Sequence, residues 1–232
     1  MSREKVSDLL DSLGVSKYGF GDLSGLVPEQ FSKLTTGISI VIRLSDAVMN
    51  EISDKAPTHT YFHHYRTVNA FIDHCTLRVV MLLQKLGYFA VAIPASQSIN
   101  APGYDYSGLF QHRTAATHAG MGWIGKNACL VTEEFGPRVR LGTILTNMPV
   151  AYDEPILESR CGSCNICVSK CPPMALRGNL WTGKNPREDL VFADVCSNHM
   201  STHYKHIGRG VVCGICVKSC PKGKERISGN AY

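Results

Sequence analysis

Eight cysteines crowd into one stretch of the chain: Cys161, Cys164, Cys167, Cys171, Cys196, Cys213, Cys216 and Cys220. The first four are spaced C-x2-C-x2-C-x3-C and followed by Pro172, and Cys213, Cys216 and Cys220 repeat the second half of that run before Pro221. A cubane iron–sulfur cluster needs four thiolates at tetrahedral corners, and two-residue spacers let one turning loop supply three of them. Where two such runs occur, the cysteine just before proline ligates the other run's cluster. That rule assigns one [4Fe–4S] cluster to Cys161, Cys164, Cys167 and Cys220. The second takes Cys213, Cys216, Cys196 and Cys171. Zinc favours two separated C-x2-C knuckles instead, which a triple run ending in Cys-Pro does not match.

The remaining two cysteines read differently. Cys75 falls on the apolar face of a helical pattern and Cys129 in an apolar strand, so both are expected in the core. Between them lies a glycine-rich loop, residues 120–127, with Gly120, Gly122, Gly125 and Lys126. It satisfies both the dinucleotide fingerprint and, save for Asn127, the phosphate loop, yet each of those needs a strand before it and a helix after it. Here a helix leads in and a strand leads out. What remains is a loop whose backbone can approach a large ligand, or simply a tight helix-to-strand turn with Trp123 in the core. His59, His63 and His64 suggest a metal, since His59 and His63 share a helix face, but no third ligand stands near.

The elements that must position these groups follow from periodicity. Val6, Leu9, Leu10 and Leu13 predict a helix stopped by Gly14. Residues 17–21, 38–44 and 89–93 read as strands, the second a continuous β-branched run suited to a sheet interior. From His59, apolar positions at steps of three and four predict one long helix ended at Gly87. Residues 107–119 predict a second helix, and 127–132 with 138–147 a hairpin. Pro149 and Pro155 flank a polar segment that divides the chain into residues 1–152 and 153–232. With 44% hydrophobic and 19% charged residues the chain is not disordered. No apolar run approaches a membrane span, and no export signal opens the sequence, so a cytoplasmic location is expected.

The combination of residues 119–127, the strand with Gly142 and Thr143, the cysteine run, and the later Cys196 and Cys213 to Pro221 resembles the epoxyqueuosine reductase family. The likeness holds from about residue 110 to 221 and is loose before that. It implies an α/β (α+β) fold in which a nitroreductase-like cobalamin-binding domain, related to that of reductive dehalogenases, precedes a ferredoxin-like double-cluster domain. It also implies an oxidoreductase in which two [4Fe–4S] clusters pass electrons to base-off cobalamin for reductive deoxygenation or dehalogenation. The corrinoid contacts it suggests are His118, Ala119, Gly120, Gly122, Trp123, Ile124, Gly125, Lys126, Asn127, Gly142 and Thr143. Where epoxyqueuosine reductases carry a proton-delivering aspartate, this chain has Tyr106, with Asp105 beside it; a tyrosine donor is the reductive dehalogenase pattern. His64, Arg66 and Asn69 are expected on the substrate side.

The sequence runs twelve residues past Cys220, and the repeat domain that some members of the family use near tRNA is not expected. A small-molecule substrate therefore stands beside a tRNA-bound one. The expected partner is a low-potential donor of the ferredoxin or flavodoxin type. The alternative is an iron–sulfur electron carrier, or an activator of a separate corrinoid protein, without its own cobalamin; a cluster-based redox sensor is a third class. The formal charge of +5 counts thiols as neutral. Two oxidised clusters at −2 each bring it to about +1, which makes the basic bias a poor sign of nucleic acid binding.

Overall fold

The β-branched run expected as an interior strand forms β2 (Thr36–Arg43), buried at every position but the last. In this computed structural model, which describes residues 2–97, 99 and 101–223, β2 pairs antiparallel with β1 (Lys17–Asp22) on one side and β6 (Val139–Thr146) on the other. An edge strand, β3 (Ala90–Ile93), completes the order β1-β2-β6-β3. Helix α1 (Ser2–Ser12) buries Val6 and Leu10, and the long α3 (His59–Lys85) lays Val68, Ile72, Cys75, Val79 and Leu83 into the same core as Ile38, Ile40 and Ile144. Gly142 makes that approach possible: a Cβ there would meet Ile72 Cγ2 at 2.6 Å and Ile40 Cγ1 at 2.8 Å. Helix α2 (Asp46–Asn50) precedes α3, and Arg138 ties it to β6 through Asp46 and Asn50.

The other face of the sheet carries α4 (His112–His118), whose Ala115 and Ala116 sit in two smaller apolar clusters with Leu23, Ile93, Leu145, Val41 and Met121. Sheet positions buried on both sides explain the lack of alternation in β2. Two expectations change here. The helix expected over residues 107–119 forms only from His112, because Tyr106 adopts a left-handed backbone and Ser107 and Gly108 leave the chain irregular. The expected hairpin is also replaced. Residues after the glycine loop form β4 (Trp123–Ile124), which pairs with β5 (Leu130–Val131), while β6 joins the main sheet between β2 and β3.

Beyond Thr146 the described residues add no strand to the sheet. The connecting segment is pinned along the first half: Asp153 N donates to Phe20 O and Asp153 Oδ2 accepts from Phe20 N, both at 2.8 Å, and Ile156 N donates to Thr117 O at 2.8 Å. The cysteine-bearing part then holds three helices, α5 (Ile166–Ser169), α6 (Ala193–His203) and α7 (Ile215–Ser219). It has little core of its own. Trp181 and Leu190 cluster with Ile124 and Ala128 of the first half, and Val212 and Ile215 join the main core.

Candidate functional site

The eight clustered thiols sort into two neighbourhoods. Burial pushes Cys167 up to about 12, and Cys220, Cys161 and Cys164 add to it as nearby like charges. Cys220 is raised in the same way, by burial and then by Cys161 and Cys164. Cys196 is pushed up to about 11 by burial and then by Cys213 and Cys171. Cys216 is raised by its hydrogen bond with Cys129 and by burial, with Cys213 and Cys196 also close. Among the eight, the neighbours of Cys167 are thus Cys161, Cys164 and Cys220, and those of Cys196 and Cys216 come from Cys171, Cys213 and each other, with Cys129 close to both groups. Among the described residues no three His, Cys, Asp or Glu side chains converge to seat a single ion; a cubane instead spreads four thiolates over four iron corners.

A cavity of about 410 Å³ opens at the seam between the sheet and the cysteine-bearing part. Its wall takes Tyr61 and Tyr65 from α3, the backbone after β3, the loop from Tyr106 to Arg113, Cys129, Arg140 of β6, and Arg187 and Val217 from the second half. Tyr106 stands at its mouth, 53% exposed with φ 56°. Its carbonyl oxygen accepts from Arg187 Nη1 at 2.7 Å, so the cysteine-bearing part holds this loop in place. Asp105 is exposed and does not line the cavity. His112 is committed at both nitrogens, to Thr143 Oγ1 at 2.9 Å and the Pro94 carbonyl oxygen at 3.0 Å. The carbonyl can only accept, so Nε2 carries the proton and Nδ1 accepts from the threonine. Burial, the largest cause, brings this imidazole down to about 4, and Arg140 and Arg113 push the same way.

The glycine loop faces the cysteines, not this cavity. Gly120, at φ 64°, lies against the Glu154 carbonyl, and Gly122 against the backbone of Val131. A Cβ on Gly125 would stand 3.4 Å from Cys161 Sγ. Lys126, buried, donates from Nζ to Asn165 Oδ1 at 2.9 Å, inside the first cysteine run. Asn127 Oδ1 accepts from Cys129 N at 3.1 Å. Trp123 is fully buried, with Arg160 at 5.6 Å and Lys222 at 5.7 Å from its ring. Ile124 packs with Ala128 and Trp181, while His118 and Ala119 lie against Gly21 and Gly19 of β1. Of the suggested corrinoid contacts, Thr143 reaches the cavity through His112, and Gly142 lies under α3.

Cys75 is a core residue. Cys129 is not merely one: half-buried, it lines the cavity and shares a hydrogen bond with Cys216, which together with Arg113 and Arg140 lowers its thiol. Of the helix residues expected near substrate, Asn69 accepts from Arg140 Nε at 2.9 Å, whereas Arg66 reaches the Arg209 carbonyl and His64 Nε2 accepts from Ser45 N. Sequence reasoning passed over Arg113, His112 and Arg140. The available signal was charge on a strand: Arg138 and Arg140 interrupt an otherwise apolar run, and a charge in a sheet interior needs a reason.

Residues 160–223 match the family of 4Fe-4S double cluster binding domains. A curated relative, the epoxyqueuosine reductase of Staphylococcus aureus, is 34% identical over 121 residues, covering 51% of this chain and 31% of that protein. Over about half its length the chain is similar to epoxyqueuosine reductases. Its match spans about a third of this curated relative's length. The fold is shared with the epoxyqueuosine reductase from Streptococcus thermophilus, at TM-score 0.65 and 18% identity over 95% of this chain and 66% of that one. It is shared too with a catabolic reductive dehalogenase solved with 3-bromo-4-hydroxybenzoic acid, at TM-score 0.71 and 19% identity over 96% of this chain and 32% of that one. The mixed α/β fold is therefore that of reductive dehalogenases and epoxyqueuosine reductases. No described helix is long and apolar enough to cross a membrane.

Proposed function

We propose that the chain is a corrinoid-dependent iron–sulfur reductase, active on a carbon–oxygen or carbon–halogen bond. Cys161, Cys164, Cys167 and Cys220 hold one [4Fe–4S] cluster, and Cys171, Cys196, Cys213 and Cys216 the other. The donor chemistry fits: the eight thiols of the two runs and Cys196 divide into two sets of four, with Cys129 a ninth thiol beside them. Trp123 adds support, because its buried indole N–H has no partner among the protein atoms. Its ring lies beside Arg160 and Lys222, near Cys161 and Cys220 in the chain, so a cluster held there could offer that N–H a sulfur acceptor.

The observation that carries the reading is the cavity wall. Val217 follows Cys216 in α7, and Cys129 is hydrogen-bonded to Cys216; both face the cavity. A cluster held by Cys216 would then lie close behind that wall, near enough to pass single electrons to a group bound in the cavity. At about 410 Å³ the cavity suits a small substrate or one edge of a corrin, not the whole macrocycle. Its polar rim of Ser96, Gln97, Ser107 and Gln111 suits the amide edge of a corrin, and Tyr61 and Tyr65 offer flat apolar surface. His112, occupied at both nitrogens, would have no free ring nitrogen to offer a bound corrinoid. When bound, cobalamin supplies a strongly nucleophilic cobalt that accepts electrons singly.

The chain's own residues do the rest. Tyr106 presents a phenol O–H at the mouth and donates the proton that replaces the departing group. Arg187 fixes its loop. Asp105, off the wall, is left aside. Electrons come from a low-potential donor of the ferredoxin or flavodoxin type, and the substrate is a small molecule or a tRNA-bound base.

Anaerobic reconstitution with iron, sulfide and cobalamin tests the reading. About eight iron, eight sulfide and one base-off corrinoid per chain are expected. Zinc without sulfide removes the clusters. Intact clusters with no corrinoid retained leave an electron carrier or activator instead.

A further inference from the structure

The cavity wall carries three guanidiniums, Arg113, Arg140 and Arg187, and no aspartate or glutamate among its described residues. Arg187 is paired with Glu188 at 3.2 Å. The other two bond only neutral acceptors. Arg140 donates from Nε to Asn69 Oδ1 at 2.9 Å and from Nη2 to the Ala95 carbonyl at 3.3 Å, its guanidinium 4.2 Å from the Tyr65 ring centroid. Arg113 donates from Nη1 to the Ala128 carbonyl and from Nη2 to Gln111 Oε1 at 3.4 Å.

Each guanidinium has five N–H donors, so both keep some unspent. His112 stands between them: it precedes Arg113 in the chain and bonds the Pro94 carbonyl, next to the Ala95 carbonyl that accepts from Arg140. The two cations therefore overlook one part of the cavity. Both are half-buried, and partly buried positive charge bonded only to neutral groups favours an anion. The second cluster supplies negative charge behind Cys129, but sulfur is a poor match for the remaining planar N–H forks. Oxyanions match them well.

We propose that Arg113 and Arg140 form a site for one oxyanion, a carboxylate or phosphate, inside the cavity. Two sources share this chemistry: an acidic group on the substrate, or the phosphodiester of the corrinoid's nucleotide tail. Only the second rests on the corrinoid reading above.

The test begins with cluster-loaded, corrinoid-free protein and calorimetry against benzoate and its neutral isostere benzamide. Benzoate should bind roughly ten- to a hundred-fold more tightly, the worth of one charge-assisted pair. Arg140→Gln and Arg113→Gln should each erase that preference, and Arg140→Lys should restore part of it. Unaltered iron and sulfide content shows that the variants fold. Cobalamin is then compared with cobinamide, which lacks the phosphodiester. A preference for cobalamin that Arg140→Gln removes assigns the site to the corrinoid tail. Benzoate binding on top of bound cobalamin assigns it to the substrate. If no cobalamin is retained while the benzoate preference stands, the anion site holds and the corrinoid reading falls. The proposal is overturned if the wild-type protein treats benzoate and benzamide alike and cobalamin and cobinamide alike; a shift of the second cluster's potential in Arg140→Gln would then mark the arginines as its counter-charge only.

Discussion

Tyr106 is held in a left-handed conformation that few residues other than glycine adopt. Such strain costs on the order of 1 kcal/mol and persists only where the surroundings enforce it; here Arg187 grips the carbonyl and the ring is left at the cavity mouth. Tyr106→Phe keeps the backbone and ring and loses only the O–H. It should retain both clusters and bound corrinoid while turnover falls at least ~100-fold. Single-turnover measurements with pre-reduced protein check this, and an unchanged rate removes Tyr106 from the chemistry. His112 makes a second prediction at this scale. Its folded-state value of about 4 lies below the ordinary 6.5, so the fold accommodates only the neutral ring. That contribution is whole above pH 6.5 and is lost as pH falls toward 4, by ~3 kcal/mol. His112→Asn lacks this dependence. The stability gap between wild type and variant, from anaerobic urea unfolding, should narrow across that window; a constant gap would show the ring is not buried neutral.

At the scale of elements, what the sequence revealed depended on periodicity. The long α3 and the interior strand β2 were legible because each keeps one pattern over many residues. The double-cluster domain was legible because the spacing within each cysteine run is local. Short elements were not: α4 is seven residues, β4 and β5 two each, and their pairing is decided by tertiary contacts. The glycine loop was legible as a close approach but not as to what approaches, because glycine records only missing bulk. Its neighbours turn out to be Glu154, Val131 and Cys161. Arg113 and Arg140 were invisible as a pair, since α4 and β6 meet only in space. Gly122→Ala would drive a methyl into the Val131 carbonyl across the β4–β5 pair. Backbone cannot yield as a side chain does, so the substitution should cost ~2 kcal/mol or more and lower iron content. Gly108→Ala meets only the flexible end of Gln97 and should change little. Equal urea midpoints for the two variants would refute the distinction. Lys126 bridges the same loop to Asn165 beside the first cluster. Replacing this buried cation by methionine should make that cluster harder to reduce, by on the order of 50 mV in a redox titration, about 1 kcal/mol of charge interaction.

Across the whole molecule, the two halves do not stand alike on their own. The sheet is covered on both faces by α3 and α4, with a core that runs from Val6 to Met148. The cysteine-bearing part has helices of only four, eleven and five residues, too short to persist unaided. Its apolar side chains borrow partners: Trp181 and Leu190 from Ile124 and Ala128, Val212 and Ile215 from the main core. Cluster binding must therefore supply much of the free energy that orders it, as metal does in other small cysteine-ligated folds. Removing the clusters with chelator and oxidant should open residues 160–223 and leave the sheet standing. Hydrogen exchange is the direct measurement. Amides of β2 and β6 should stay protected while those around Cys167 and Cys216 lose protection, and Trp181 fluorescence should shift to the red while fully buried Trp123 shifts less. Because Arg187 and Val217 belong to the part that opens, the cavity loses two of its walls at the same time, and benzoate and corrinoid binding should disappear with the clusters. Protection of residues 160–223 that survives cluster loss would show that this segment folds on its apolar contacts alone, and that the cavity's shape does not depend on the electron carriers beside it.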